Sequence, residues 1–253
     1  VKCEDDTDII IGYGECLDNG HIKLNLGDRY FGIDYKAPAG DSEHTSYMLR
    51  LACRYLEVFS EKPIEITKIG IIPCSYGAKR IPRDFKNPLD KKIYDICVNT
   101  LDACMMEHYV DCPWREQCLY AFDSRNQMLC GYYAFEGGNA EYARSNLKLL
   151  GEDRRGDGLL SICAPCGGEL AIPSFSLYYF MQVNEYLKNT GDITLAQEVY
   201  EKLISVLNVF IDNRKDGLVL KFEGENHWNF YDWSPYLDGK LHGAEDAIPD
   251  LMI

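Results

Sequence analysis

Lys91-Lys92-Ile93-Tyr94-Asp95-Ile96-Cys97-Val98-Asn99-Thr100-Leu101-Asp102-Ala103-Cys104-Met105 is where the chain changes its apolar period. Ile93, Cys97, Leu101, Cys104 and Met105 recur at the three-to-four spacing of one helix face, which predicts a helix from 91 to about 109. Upstream the pattern is different. Short apolar runs at 9–11, 21–26, 30–35, 47–58 and 64–72 are separated by turn signals such as Asp18-Asn19-Gly20, and Ile64-Glu65-Ile66-Thr67 alternates like a strand with one solvated face. Pro82, Pro88 and mixed charges separate the two patterns and put a boundary at 83–90. The expected organisation is an all-β, sandwich-like segment over 1–85 followed by an all-α domain over 86–253.

Downstream, Pro113 is a favoured first-turn residue and Asp111 stands where a cap would. The helix so predicted has Leu119, Phe122, Leu129, Cys130 and Tyr133 as its apolar face. A later helical run starts near Ser174 and stops at Gly191, and another follows Asp192 with Leu195, Val199, Leu203, Leu207 and Phe210 in line. So short a connection makes them antiparallel neighbours. Asp157-Gly158-Leu159-Leu160 and Asp216-Gly217-Leu218-Val219 each follow a helical run, 59 positions apart, which suggests a repeating helix pair. Asp-Gly is also a common turn, so the echo alone leaves chance open.

Composition narrows the function classes. With 253 residues and 46% hydrophobic content the chain can fill a packed core, and its formal charge of −14 repels phosphate backbones and anionic lipid. Nucleic acid and membranes are therefore excluded as expected partners, and neutral ligands suit it better. No apolar run is long enough to span a bilayer, and the first residues are acidic rather than a charged-then-apolar leader. Eleven cysteines, with Cys97, Cys104 and Cys130 at helix positions, read as reduced thiols and point to a cytoplasmic setting. Cys163-Ala164-Pro165-Cys166 lacks two further ligands and a strand-helix context, so it reads as a structural loop rather than a zinc or redox site. His21, His44, His108, His227 and His242 are dispersed, and no metal is expected.

The chemistry concentrates in Asp111-Cys112-Pro113-Trp114-Arg115-Glu116-Gln117. On the predicted helix Glu116, Tyr120, Asp123 and Gln127 share one stripe, an aromatic, an amide and two carboxylates, as in a polar pocket wall. Acids grouped with Arg115 and Asp111 can hold one carboxyl protonated while the others stay ionised, which is what general-acid catalysis needs. The competing reading is ordinary capping by Asp111 and a local ion pair to Arg115.

Asp111-Cys112-Pro113-Trp114-Arg115-Glu116, followed by Asp123, resembles the signature of the bacterial α-L-rhamnosidases of glycoside hydrolase family seventy-eight. Ile172-Pro173-Ser174-Phe175-Ser176 and Trp228-Asn229-Phe230-Tyr231-Asp232-Trp233 also fit the pattern. The resemblance implies an (α/α)6 toroid preceded by β-sandwich modules. It also implies Glu116 as general acid, Asp111, Arg115 and Asp123 as contacts to the rhamnose ring, and Tyr120 where many members carry a tryptophan. Many members have one more residue between the arginine and the acid. Trp228, Asp232 and Trp233 add a platform on which a sugar ring can stack and donate hydrogen bonds, set against a helix cap with two core tryptophans.

Inversion, which the resemblance implies, needs a second carboxylate about 6.5–9.5 Å from the acid. Glu223, Glu225 and Glu245 are available, but none matches the family's base segment. Six helix pairs of about 60 residues need roughly 360 residues, while 162 follow Lys91, so the toroid is expected to be incomplete and its uncovered faces to favour self-association. The function expected is inverting hydrolysis of terminal α-L-rhamnosides in a rhamnose-containing oligosaccharide or glycoside, without a cofactor. The rivals are another (α/α)6 carbohydrate enzyme and a non-catalytic carbohydrate-binding fragment.

Overall fold

A computed structural model describes residues 1–152, 155–235 and 237–239. The chain divides into two compact units, one of residues 1–74 with 113–116, the other of 75–112 with 117 onward.

The first unit consists of short antiparallel strands: β1 (Lys2–Cys3), β2 (Thr7–Gly14), β3 (Leu17–Asp18), β4 (His21–Ile22), β5 (Asn25–Leu26), β6 (Arg29–Tyr30), β7 (Gly32–Ala37), β8 (Gly40–Asp41), β9 (Tyr55–Ser60) and β10 (Ile64–Glu65). β2 is the centre of one three-stranded sheet, ordered β7-β2-β9, and β1 of another, ordered β10-β1-β8. Thr7 and Ile9 at the start of β2 turn inward, and Ile9 joins Cys3 and Ala37 in a small core covered by Ile11, Tyr35 and Val58. The Asp18-Asn19-Gly20 signal is a hairpin turn: Asn19 and Gly20 both have positive φ, as a tight link between β3 and β4 requires. Two expected strands are cut short. Tyr47 and Met48 are exposed and precede β9, and the run 64–72 pairs only at β10, leaving Ile69, Ile71 and Ile72 exposed. Apolar content there exists without a partner strand to satisfy the backbone.

The second unit is helical: α1 (Pro88–Ala103), α2 (Ala121–Ala134), α3 (Ala140–Glu152), α4 (Pro173–Thr190), α5 (Ile193–Glu198) and α6 (Tyr200–Asp212), then a hairpin of β11 (Arg214–Lys215) and β12 (Leu218–Val219). Asn87 caps α1 by accepting from the Leu89 amide at 3.0 Å, and Pro88 opens it. The helix ends at Ala103 rather than near 109, and its buried line is Val98 and Leu101 leading to Met105. Ile93 and Cys97 face outward, so the expected face is turned by about one position.

α4 spans nearly the predicted residues and ends where Gly191 takes a left-handed conformation that only glycine adopts without strain. Asp192 then caps α5, accepting from the Thr194 amide at 2.9 Å. The single helix expected there is two, because Val199 leaves the helical region between α5 and α6. One core joins α1 to α4 through Met105, Met128, Leu147, Phe175 and Tyr179, and a second gathers Leu159, Leu177, Val206, Phe210 and Val219.

Candidate active site

The segment from Asp111 to Tyr120 is not a helix. The Asp111 amide donates to the Cys118 carbonyl at 2.9 Å and the Cys118 amide to Asp111 Oδ1 at 2.9 Å, closing a loop around Pro113. Gln117 has φ of 54°, a left-handed conformation that no helix contains. Asp111 thus secures a loop rather than capping a helix, and α2 begins only after Tyr120. The stripe of Glu116, Tyr120, Asp123 and Gln127 is accordingly corrected: Asp123 and Gln127 lie on α2, while Glu116 and Tyr120 precede it.

Within this loop Pro113–Glu116 belongs to the β-rich unit rather than the helical one. Trp114 stacks on the buried Phe31 ring with centroids 4.5 Å apart, and Arg29 donates to the Arg115 carbonyl. Arg115 Nε lies 2.7 Å from Glu116 Oε1. The Glu116 side chain is 17% exposed and that of Arg115 53%, so a sheltered carboxylate is held by a cation that reaches water.

The residues just before Asp111, in the helical unit, are held by two side-chain amides, one buried and one half-buried. Asn146, on α3, accepts from the Tyr109 amide at 2.7 Å and donates to the Tyr142 carbonyl at 2.7 Å. Gln127, on α2, donates to the Val110 carbonyl at 2.7 Å. Neither role was visible in sequence beyond a polar residue at an inward helical position. Gln182, 1% exposed on α4, donates to the Ala121 carbonyl at 2.7 Å and accepts from the Ser124 hydroxyl at 3.2 Å, fixing the first turn of α2 that carries Asp123.

Tyr120 is half-buried, and its hydroxyl is pushed well above its ordinary range by burial and by the neighbouring Cys118, Cys163 and Asp111. It remains a neutral donor. Its ring meets Phe175 edge-on at 6.2 Å, Phe175 meets Phe230 at 6.3 Å, and Phe230 packs on Trp228 at 4.9 Å and Trp233 at 4.9 Å. The helical unit therefore brings Tyr120, Trp228 and Trp233 into one aromatic chain. The Trp228 segment is tied to the start of α4, where the Trp228 amide donates to the Ala171 carbonyl at 2.8 Å and the Ser174 hydroxyl to the Phe230 carbonyl at 2.7 Å. The two motifs flanking these bonds are thus neighbours. Trp233 is 70% exposed rather than core, which leaves its ring face available to a ligand. Asp232 accepts from the Trp233 amide and the Ser234 hydroxyl, shaping a turn instead of opening a helix.

Glu223 is exposed with Lys221 Nζ at 3.5 Å, Glu225 is exposed, and Glu245 and His242 lie outside the described residues. His108 Nδ1 bonds the Tyr109 carbonyl at 2.7 Å.

The family profile of the bacterial alpha-L-rhamnosidase six-hairpin glycosidase domain matches residues 85–250, well over half of the chain. The chain belongs to this family. No curated protein matches it. Among solved structures, a GH78 family rhamnosidase of Bacillus sp. GL1 is similar over 94% of this chain with a TM-score of 0.80 and 24% identity. A rhamnosidase from Klebsiella oxytoca with rhamnose bound is similar over 88%, at a TM-score of 0.64 and 18% identity. An alpha-L-rhamnosidase of Streptomyces avermitilis complexed with L-rhamnose is similar over 88%, at 0.62 and 19%. At such identities the likeness establishes a shared fold. The rhamnosidase-family chain spans 25%, 47% and 22% of those three proteins.

Proposed function

We propose that the protein hydrolyses terminal α-L-rhamnosides with inversion at the anomeric carbon, residues 86–253 serving as the catalytic domain. The observation that carries this reading is the place of Glu116: a sheltered carboxyl side chain within the motif of a rhamnosidase-family chain. Glu116 gives its proton to the glycosidic oxygen as the bond to the sugar breaks. A second carboxylate takes a proton from water, which adds to the anomeric carbon from the opposite face, so the products are rhamnose and the free aglycone alcohol. Glu223, Glu225 and Glu245 are the first candidates for that base. Asp111, Arg115 and Asp123 bind the hydroxyls of the ring, Tyr120 donates as a neutral phenol, and Trp228, Asp232 and Trp233 form the platform for the rest of the ligand.

The test is Glu116→Gln in the intact protein, assayed on aryl α-L-rhamnosides of graded leaving-group ability. The amide keeps the shape without the proton. Turnover of the poorest leaving group should fall by about 10²–10⁴-fold and that of the best much less, while rhamnose still binds. An equal, small loss across the series removes Glu116 from the role.

A further inference from the structure

His227 joins two parts of the helical unit. Its backbone lies in an extended segment bridged in parallel to Ala171, the Ala171 amide donating to the Asn226 carbonyl at 2.9 Å and the Trp228 amide to the Ala171 carbonyl at 2.8 Å. Successive side chains of extended backbone point to opposite sides. Trp228 accordingly packs on the core, its Nε1 donating to the Asp238 carbonyl at 2.7 Å, whereas His227 reaches the turn at 155–159. That turn is a firm wall: Gly158, at a φ of 85°, backs onto α6 so closely that a Cβ there would lie 2.8 Å from Val209.

Both ring nitrogens of His227 face acceptors. Nδ1 lies 2.7 Å from the Glu223 carbonyl, which can only accept. Nε2 lies 2.9 Å from Asp157 Oδ2. That carboxylate is fully engaged as an acceptor: Oδ1 takes Arg155 Nε and the Leu159 amide, both at 3.1 Å, and Oδ2 takes Arg155 Nη2 at 2.7 Å besides His227, so it has no lone pair to spare for a proton of its own. Two acceptors require two protons on the ring. A neutral imidazole, in either tautomer, turns a lone pair on one of them, and with its side chain only 19% exposed His227 has little water to turn to instead.

We infer that His227 is a positioning residue of the sugar platform, an imidazolium that clasps the Trp228 segment to the 155–159 turn and releases it when a ring proton is lost. The inference rests on the rhamnosidase reading proposed above, in which Trp228 and Trp233 carry the part of the ligand beyond the rhamnose ring. One side of the segment is tied to Ala171, so the clasp on the other fixes its rotation about its own axis, and with it the pitch of the adjoining indole. The surrounding charges favour the cation. Arg155, on the same carboxylate, opposes it, as do Lys202, which reaches from α6 to the Leu159 carbonyl at 3.4 Å, and Lys221, 3.5 Å from Glu223. Against these three stand four carboxylates: Asp157, the exposed Glu223 and Glu225, and Glu169, which accepts from Asn226 Nδ2 at 3.0 Å. The remaining neighbour is apolar, the Phe222 ring at 5.8 Å.

The experiment has two arms on the intact protein, each run from about pH 5 to 9, the range in which histidine changes charge. In the first, histidine ring nitrogens are labelled with ¹⁵N and read by nuclear magnetic resonance. At the acid end both His227 nitrogens should carry protons, and a ring with one bare nitrogen throughout the range overturns the clasp. In the second, calorimetry gives the affinity for an aryl α-L-thiorhamnoside, which is not hydrolysed, divided by that for rhamnose, so that titrations at the rhamnose ring cancel. The ratio should fall by about three- to tenfold as the His227 signal titrates. His227→Gln, with no charge to lose, should hold a ratio that does not change with pH. A constant ratio in an unaltered protein that binds both ligands, or a ratio in His227→Gln that falls as in the unaltered protein, overturns the positioning role. If His227→Gln does not fold, the coincidence of the two curves in the unaltered protein decides. A protein that binds neither ligand counts against the rhamnosidase reading, while the clasp itself stands or falls on the nitrogen signals.

Discussion

Replacing Gln182 by leucine tests whether the first turn of α2, and with it Asp123, is set by one buried amide. The side chain is 1% exposed and bonds both the Ala121 carbonyl and the Ser124 hydroxyl. Leucine has similar volume, so the change removes two hydrogen bonds without opening a large cavity. A buried hydrogen bond contributes about 1 kcal/mol net, and a polar group left orphaned costs about 1–3 kcal/mol. Two features hold the sum to the lower end. The Ala121 carbonyl can still accept within the helix, and the Ser124 hydroxyl already lies 3.4 Å from that carbonyl and can turn fully to it. The expected loss is about 2 kcal/mol, which for a protein of this size lowers the midpoint of thermal unfolding by about 4–8 °C.

The assay is thermal and urea unfolding of the intact protein, followed by near-ultraviolet dichroism, in a double-mutant cycle with Ser124→Ala. Ser124→Ala with Gln182→Leu should destabilise by less than the sum of the single changes, because each single change strands a partner that the double change removes. Rhamnose binding should weaken in Gln182→Leu through displaced Asp123. Stability within about 0.5 kcal/mol of the unaltered protein, with strict additivity, would refute the network as the anchor of α2.

Asp123→Asn should weaken rhamnose binding while leaving the unfolding midpoint nearly in place; calorimetric binding and a melt on the same sample separate a ligand contact from a structural carboxylate, whose loss costs about 1 kcal/mol or more. Asp157 carries a pH signature. Burial raises its pKa, but Arg155 Nη2 at 2.7 Å, His227 Nε2 at 2.9 Å and the Leu159 amide outweigh it and bring it from 3.8 to about 2. A depressed folded value means that the contribution is present above 3.8 and lost as pH falls through about 2, so stability should decline over that window. Asp157→Asn should flatten that part of the curve in unfolding measured against pH, and an unchanged slope would disprove the assignment.

Particular residues show what the sequence could reveal. The change of period at Lys91 separated strands from helices because it rests on a long run of positions, and the Asn19-Gly20 and Gly191 turns were legible because few residues accept positive φ. The residues of the family motif stood out in the sequence, yet their local conformation did not. Proline after a capping residue is a sound helix start, but here the Asp111 side chain reaches forward to Cys118 and Gln117 turns left-handed, a choice made by contacts from other parts of the chain. Phe31 lies 83 positions before the Trp114 it stacks on, and no pattern within the motif announces it.

The buried face of α2 failed for a related reason. Apart from Met128 it is made of small residues, Ala121, Ser124, Gly131 and Ala134, with little apolar signal, whereas Phe122, Cys130 and Tyr133 are exposed. Ser124 offers a hydroxyl to Gln182 on α4 and Gly131 lies against Tyr109 and Phe135, so neighbours across the core rather than hydrophobicity chose the residues. The same logic applies to Leu119 and Ala164, 45 positions apart and joined by a bridge that no local pattern announces. A reading based on spacing within one segment finds ligands and turns that are local. In this protein the supports of Asp111, Asp123 and Tyr120 come from α3, α4 and the 163–166 loop, and their identities are fixed by what each must reach across the core.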